Sequence, residues 1–106
     1  MKLIDLVSYF RSGGTFEGFC SARALNVDSE VIEIYAQKPV SLNSELGFFP
    51  IEETGGRIEF QSKGSQYQNL FDFFYFFDVI EDLKESSILG NKELAQQLLS
   101  HALKDA

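Results

Sequence analysis

The segment between residues 70 and 86 constrains the fold more than any other part of the chain. Phe71, Phe73, Phe74, Tyr75, Phe76 and Phe77 crowd into it, in a protein with 11 Phe, 4 Tyr and no Trp. Each buried ring removes a large apolar area from water, so such a run must lie at the centre of a core or against a partner. On a helix turning about 100° per residue, Phe73, Phe76, Phe77, Ile80 and Leu83 share one side, and Phe77 and Ile80 are expected to point inward. Asp78, Glu81, Asp82 and Glu85 line the other side at spacings of three and four. The C-terminal half is therefore amphipathic. The N-terminal half is apolar all round, because Phe71, Phe74 and Tyr75 lie one turn above the acidic stripe.

Three arrangements satisfy this pattern. The first turn and a half can be the middle of the core, packed between a sheet and other helices. Alternatively, Phe71, Phe74 and Tyr75 are exposed anchors beside an acidic rim, a common interface design. In the third, residues 70–76 are extended, with Phe71, Phe73, Tyr75 and Phe77 alternating onto one face. The acidic stripe is equally double-edged. Like charges at helical spacing repel by about a few tenths of a kcal/mol per pair, which a solvated face can carry without any function. Only Lys84 relieves them nearby, and uncompensated acidity also fits a basic ligand. Glu52, Glu53 and Glu59 would widen the same patch.

The remaining elements are read from periodicity and turn chemistry. Residues 2–12 form a helix with Leu3, Leu6, Val7 and Phe10 on one face, ended by Gly13-Gly14. Residues 15–25 fit either a short helix or a strand. The turn Asn26-Val27-Asp28-Ser29 precedes a strand centred on Val31-Ile32-Glu33-Ile34-Tyr35, which Pro39 ends. Residues 40–47 read as loop. Thr54-Gly55-Gly56, flanked by Phe48-Phe49-Pro50-Ile51-Glu52 and Arg57-Ile58-Glu59-Phe60-Gln61, predicts a hairpin, with Pro50 placing the first strand on an edge. Asn69 is the expected N-cap of the Phe-rich helix, and Gly90-Asn91 opens a last helix with Leu94, Ala95, Leu98, Ala102 and Leu103 on its apolar face. The expected fold is α+β: a small antiparallel sheet with an N-terminal helix and two C-terminal helices packed on it, as one domain over residues 1–106.

Charge narrows the function. A net charge of −7 repels phosphate backbones and anionic membrane surfaces, so neither nucleic acid nor membrane is an expected partner. A basic protein would be attracted, although the same charge also serves solubility. The lone Cys20 cannot form an internal disulfide, the N-terminus lacks the features of a signal peptide, and a cytoplasmic location is expected.

Catalytic chemistry has little to work with. The chain has no HExxH, no CxxC, no phosphate-binding glycine motif and no second His or Cys to complete a zinc site, so no metal or cofactor is expected. A Cys20–His101 dyad or a pair of carboxylates would be needed for a small hydrolase or transferase. The expectation is a binding protein, not an enzyme.

Residues 24–35 (Ala-Leu-Asn-Val-Asp-Ser-Glu-Val-Ile-Glu-Ile-Tyr), the Gly55-Gly56 pair and the Phe-rich helix ending Val79-Ile80-Glu81-Asp82-Leu83 resemble small bacterial immunity proteins, those paired with contact-dependent growth inhibition toxins. The resemblance spans residues 20–85 and rests on pattern, size and acidity, without residue-by-residue correspondence. It implies a cytosolic inhibitor that binds a cognate toxin domain, often a nuclease, through that toxin's basic surface. Electrostatic steering would speed such an encounter. The surface expected to carry it is Asp78, Glu81, Asp82 and Glu85 with Phe71, Phe74 and Tyr75. A phage-type inhibitor or an acidic adaptor would show the same features.

Overall fold

The computed structural model describes residues 1–84 and 89–104. Two short helices come first, α1 (Leu3–Arg11) and α2 (Phe16–Ala22). Leu3, Leu6 and Val7 are the buried face of α1, and the Lys2 N–H donates to the Asp5 carboxylate at 2.9 Å to close its first turn. Within residues 15–25, open on sequence grounds, Phe16–Ala22 are helix, capped by Thr15, whose Oγ1 accepts the Gly18 N–H at 3.1 Å. Gly14 joins the two helices where a Cβ would lie 2.3 Å from a Tyr9 ring carbon, so no other residue fits there without moving the ring.

Four strands follow: β1 (Ile32–Gln37), β2 (Leu46–Pro50), β3 (Glu59–Ser62) and β4 (Ser65–Asp72), with a one-turn helix α3 (Ile51–Thr54) between β2 and β3. They form an antiparallel sheet in the order β2-β1-β4-β3. Ile34 pairs with Phe48 on one side and Phe71 on the other, so β1 is central. Pro50 does lie on an edge strand, where its missing N–H costs no ladder bond.

The hairpin expected across Thr54-Gly55-Gly56 is not formed. The strands on either side of it lie at opposite edges of the sheet. Gly55 and Gly56, with φ of 67° and 75°, instead carry the chain out of α3 in the left-handed conformation. The tight hairpin lies further on, between Ser62 and Ser65, where Lys63 (φ 51°) and Gly64 (φ 83°) supply the two positive φ angles of a type I′ turn.

A long helix does not begin at residue 69. Residues 65–72 are strand, and α4 runs Phe73–Lys84. Asn69 is therefore not its cap: it sits in β4 and donates to the Glu33 carboxylate at 2.8 Å. The cap is Asp72, whose Oδ1 accepts the Tyr75 N–H at 2.8 Å. The pairing shifts by one residue between Ile34 and Tyr35, leaving Leu70 as the extra residue of a β-bulge. The bulge lets consecutive Leu70 and Phe71 both be buried, which strict alternation forbids. The last helix, α5 (Asn91–Lys104), buries Leu94, Ala95, Leu98 and Ala102.

The fold is α+β, with the helices α1, α2, α4 and α5 on one face of the sheet. Ile32, Ile34, Ala36, Phe48 and Phe71 of that face join Leu6, Phe19, Phe76 and Leu98 in one core. Phe73, 3% exposed, is its hub: its ring meets Phe10, Phe16, Phe19, Phe48, Phe76 and Phe77 at centroid distances of 5.2–6.0 Å. Most of these pairs are edge-to-face, the arrangement that the ring quadrupole favours.

The crossover from β2 to β3 straps the opposite face. Thr54 Oγ1 donates to the Glu33 carboxylate at 2.8 Å, and the Tyr35 hydroxyl donates to the Arg57 carbonyl. Tyr35, Phe49, Phe60 and Tyr67 make a smaller aromatic cluster beneath it.

Candidate functional site

Helix α4 presents two different sides because its phase is set by Phe73 entering the core. Phe73, Phe76 and Ile80 are buried on that side. The outward stripe starts at Phe74 and continues, four and seven residues on, to Asp78 and Glu81, with Asp82 beside them. Phe74 is 65% exposed, and all three acidic residues are exposed. Among the described residues the ion pairs are Met1–Glu45 and Lys38–Glu59, so none neutralises Asp78, Glu81 or Asp82.

The sequence-derived surface set divides in the structure. Asp78, Glu81, Asp82 and Phe74 come together on the outer side of α4. Phe71 does not join them: it is a β4 residue, 8% exposed, stacked between the sheet and the Phe76 ring, so it is core and not a surface anchor. Tyr75 is half-buried, with its ring stacked on His101 of α5 at 5.1 Å, and it helps pack the two C-terminal helices together. Glu85 lies outside the described residues. Phe77, expected in the core, is only half-buried, at the edge where α4 faces α2.

That edge is a cleft. Phe16, Val27, Ile32, Phe73, Phe74 and Phe77 line a hollow of about 250 Å³ between α4, α2 and the turn leading into β1, with Glu30 and Ser29 also in its lining. Val27 is 46% exposed and borders the same hollow as Phe74. The other large exposed apolar residues among the described ones lie elsewhere, Ile58 in the segment before β3 and Leu103 on the last helix. Past Phe16 and Phe77 the surface opens into a second hollow of about 570 Å³, lined by Phe10, Ile80, Glu81 and Arg11. The Arg11 guanidinium is already engaged, donating to the Leu89 carbonyl and to Asn91 Oδ1.

Glu52 braces the far wall of the cleft. Its carboxylate accepts the Ser29 hydroxyl at 2.5 Å and the Glu30 N–H at 3.0 Å, and these bonds, the hydroxyl's first, hold its pKa below the usual carboxylate value. Glu52 is therefore a positioning group for the turn. Glu59 is likewise occupied, paired with Lys38 at 3.2 Å. Sequence reasoning passed over Phe16, Val27 and Glu30 as site residues. The one available signal was Val27, an apolar residue inside an otherwise polar turn.

The groups with catalytic potential are placed differently. Cys20 is wholly buried among core side chains, and burial, helped by the Glu17 carboxylate, pushes its thiol pKa up, away from the thiolate that a nucleophile needs. His101 is exposed on α5. Among the described residues, no group of three or more His, Cys, Asp or Glu is placed to hold a metal ion, and no helix is long and apolar enough to cross a membrane. The α4 surface places an apolar hollow beside carboxylates that no ion pair among the described residues neutralises.

No family model, curated protein or solved structure matches this chain.

Proposed function

We propose that this chain is a protein-binding inhibitor, an immunity protein that acts in the cytoplasm by binding a cognate toxin domain with a basic surface. The observation that carries this reading is the outer side of α4. There, Phe74 leads directly into Asp78, Glu81 and Asp82, and no described cation pairs with those carboxylates. Carboxylates that no described cation neutralises, lined along a helix, raise the local concentration of a positively charged partner and orient its approach. An exposed aromatic at the head of the stripe supplies the apolar contact that charge alone lacks. The overall charge of −7 favours the same class of partner.

The test is a binding and protection experiment. If a secreted toxin is encoded immediately upstream, its C-terminal domain should form a stable complex with this protein, and co-expression should rescue cells from that domain. Failure of the purified pair to associate at low salt would refute the proposal.

A further inference from the structure

The hollow beside α4 has a composition and size that narrow what part of a partner it takes. We infer that it is a socket for one apolar side chain, aromatic or branched aliphatic, carried by a partner segment that also bears Lys or Arg next to that side chain. This rests on the reading that α4 is the partner-binding surface, and it specifies the chemistry of the contact.

Three observations support it. First, the hollow, at about 250 Å³, falls below the usual 300–1,000 Å³ of small-molecule sites and is walled by Phe16, Val27, Phe74 and Phe77. An apolar side chain entering it gains the contacts that Phe74 and Val27 now leave to water. Second, the walls are firm. Phe16 and Phe77 are both packed against Phe73, at 5.2 and 5.4 Å, and the turn carrying Val27 and Glu30 is tied down by Glu52. A pre-formed hollow saves the ordering cost that a collapsible one would incur on binding. Third, the charged residue in its lining is Glu30, and Asp78 and Glu81 follow Phe74 along α4, while Arg11, which lines the adjoining hollow with Glu81, has its guanidinium committed to Leu89 and Asn91. A segment with an apolar anchor and adjacent cations would satisfy both features at once, whereas an acidic or purely apolar segment would satisfy one and oppose or ignore the other.

Two short polylysine peptides, identical except for a central phenylalanine or serine, separate the two contributions. Isotope-labelled protein is titrated with each, and affinities and amide shifts are read at low and moderate salt. Both peptides should bind, weakening as salt rises. The phenylalanine peptide should bind about tenfold or more tighter, the gain expected from burying one aromatic side chain. Its additional shifts should centre on Val27, Phe74 and Phe77. Phe74→Ser and Val27→Ser, both at exposed positions, should abolish the phenylalanine advantage and bring the two peptides' affinities together. Asp78→Lys with Glu81→Lys should weaken both peptides.

Equal affinity for the two peptides overturns the socket while leaving the acidic-surface reading standing. A phenylalanine advantage that survives Phe74→Ser and Val27→Ser, or shifts centred on Phe49, Phe60 and Tyr67 across the sheet, also overturns it. If neither peptide binds, both readings fall. Self-association abolished by Phe74→Ser would make a second copy of the chain the occupant and displace the basic segment. Socket binding by the phenylalanine peptide alongside a toxin domain that forms no complex would uphold the socket and remove the toxin assignment.

Discussion

Phe73 and Phe74 are adjacent, equally apolar and predicted to have opposite fates on substitution. Phe73 is 3% exposed and its ring meets rings from α1, α2, β2 and α4. Taking about 150–250 Å² buried for an aromatic residue and about 25 cal/mol per Å², its burial is worth about 4–6 kcal/mol. Residual burial in the denatured chain lowers this figure, and the cavity left by truncation raises it. Because the rings around Phe73 are anchored on separate elements, they cannot all collapse into the gap. Phe73→Ala should therefore cost about 4 kcal/mol, within the measured range of ~3–5 for such changes. For a domain of this size that lowers the melting temperature by at least about 15 °C. Phe74, 65% exposed, has little burial to lose, and Phe74→Ala should cost under about 1 kcal/mol. Urea unfolding followed by circular dichroism reads both. The midpoint should fall for Phe73→Ala with an unchanged m-value and stay near wild type for Phe74→Ala. If the two losses are equal, or reversed, the phase of α4 is wrong and the surface built on it is lost.

Four further outcomes follow from the same geometry. Asp78→Lys with Asp82→Lys should leave stability within about 1 kcal/mol, since exposed charges contribute little, while slowing association with a basic partner in a way that salt suppresses; stopped-flow rates indifferent to both would move the interface elsewhere. The Glu52 carboxyl is held below its usual 4.5 when folded, so its tie to Ser29 and Glu30 is fully present above that value and lost as pH falls through the lower folded value. The Glu30 amide should accordingly lose exchange protection in acid, and Glu52→Gln should weaken it already at neutral pH. Tyr35→Phe removes the hydroxyl that donates to the Arg57 carbonyl and should destabilise by about 1 kcal/mol, measurable by thermal melts; no change would mean that the strap is held by its other bonds alone. Cys20, buried and with its thiol pKa raised, should react with a thiol reagent far more slowly in the native protein than after unfolding, and rapid native labelling would place α2 wrongly.

The proposed partner rests on the acidity and pattern of the chain, which speak of a surface as a whole, and the structure makes the limit of that reading visible. Which aromatics belong to it depended on where β4 ends, and that moved Phe71 into the core and Tyr75 onto α5 while leaving Phe74 outside.

Elements whose signal is local were legible in the sequence. The spacing of Leu3, Leu6 and Val7 in α1, and of Leu94, Ala95, Leu98 and Ala102 in α5, fixes a helix whatever else the chain does, because each turn is closed by its own neighbours. The β-branched run of β1 and the edge position enforced by Pro50 are of the same kind. So is the outward alignment of Asp78, Glu81 and Asp82, which any helix through those residues must produce. What tertiary structure alone decided was pairing and burial between distant segments. Gly55-Gly56 has the local chemistry of a hairpin turn, but β1 pairs with both β2 and β4, so β2 and β3 end on opposite edges and the glycines become the exit of a crossover. Leu70 and Phe71 suit a strand as well as a helix; pairing with the backbone of β1 takes them into β4 and delays the helix to Phe73. The cleft of Phe16, Val27 and Phe74 is assembled from three separate segments, and no periodicity within any one of them encodes it.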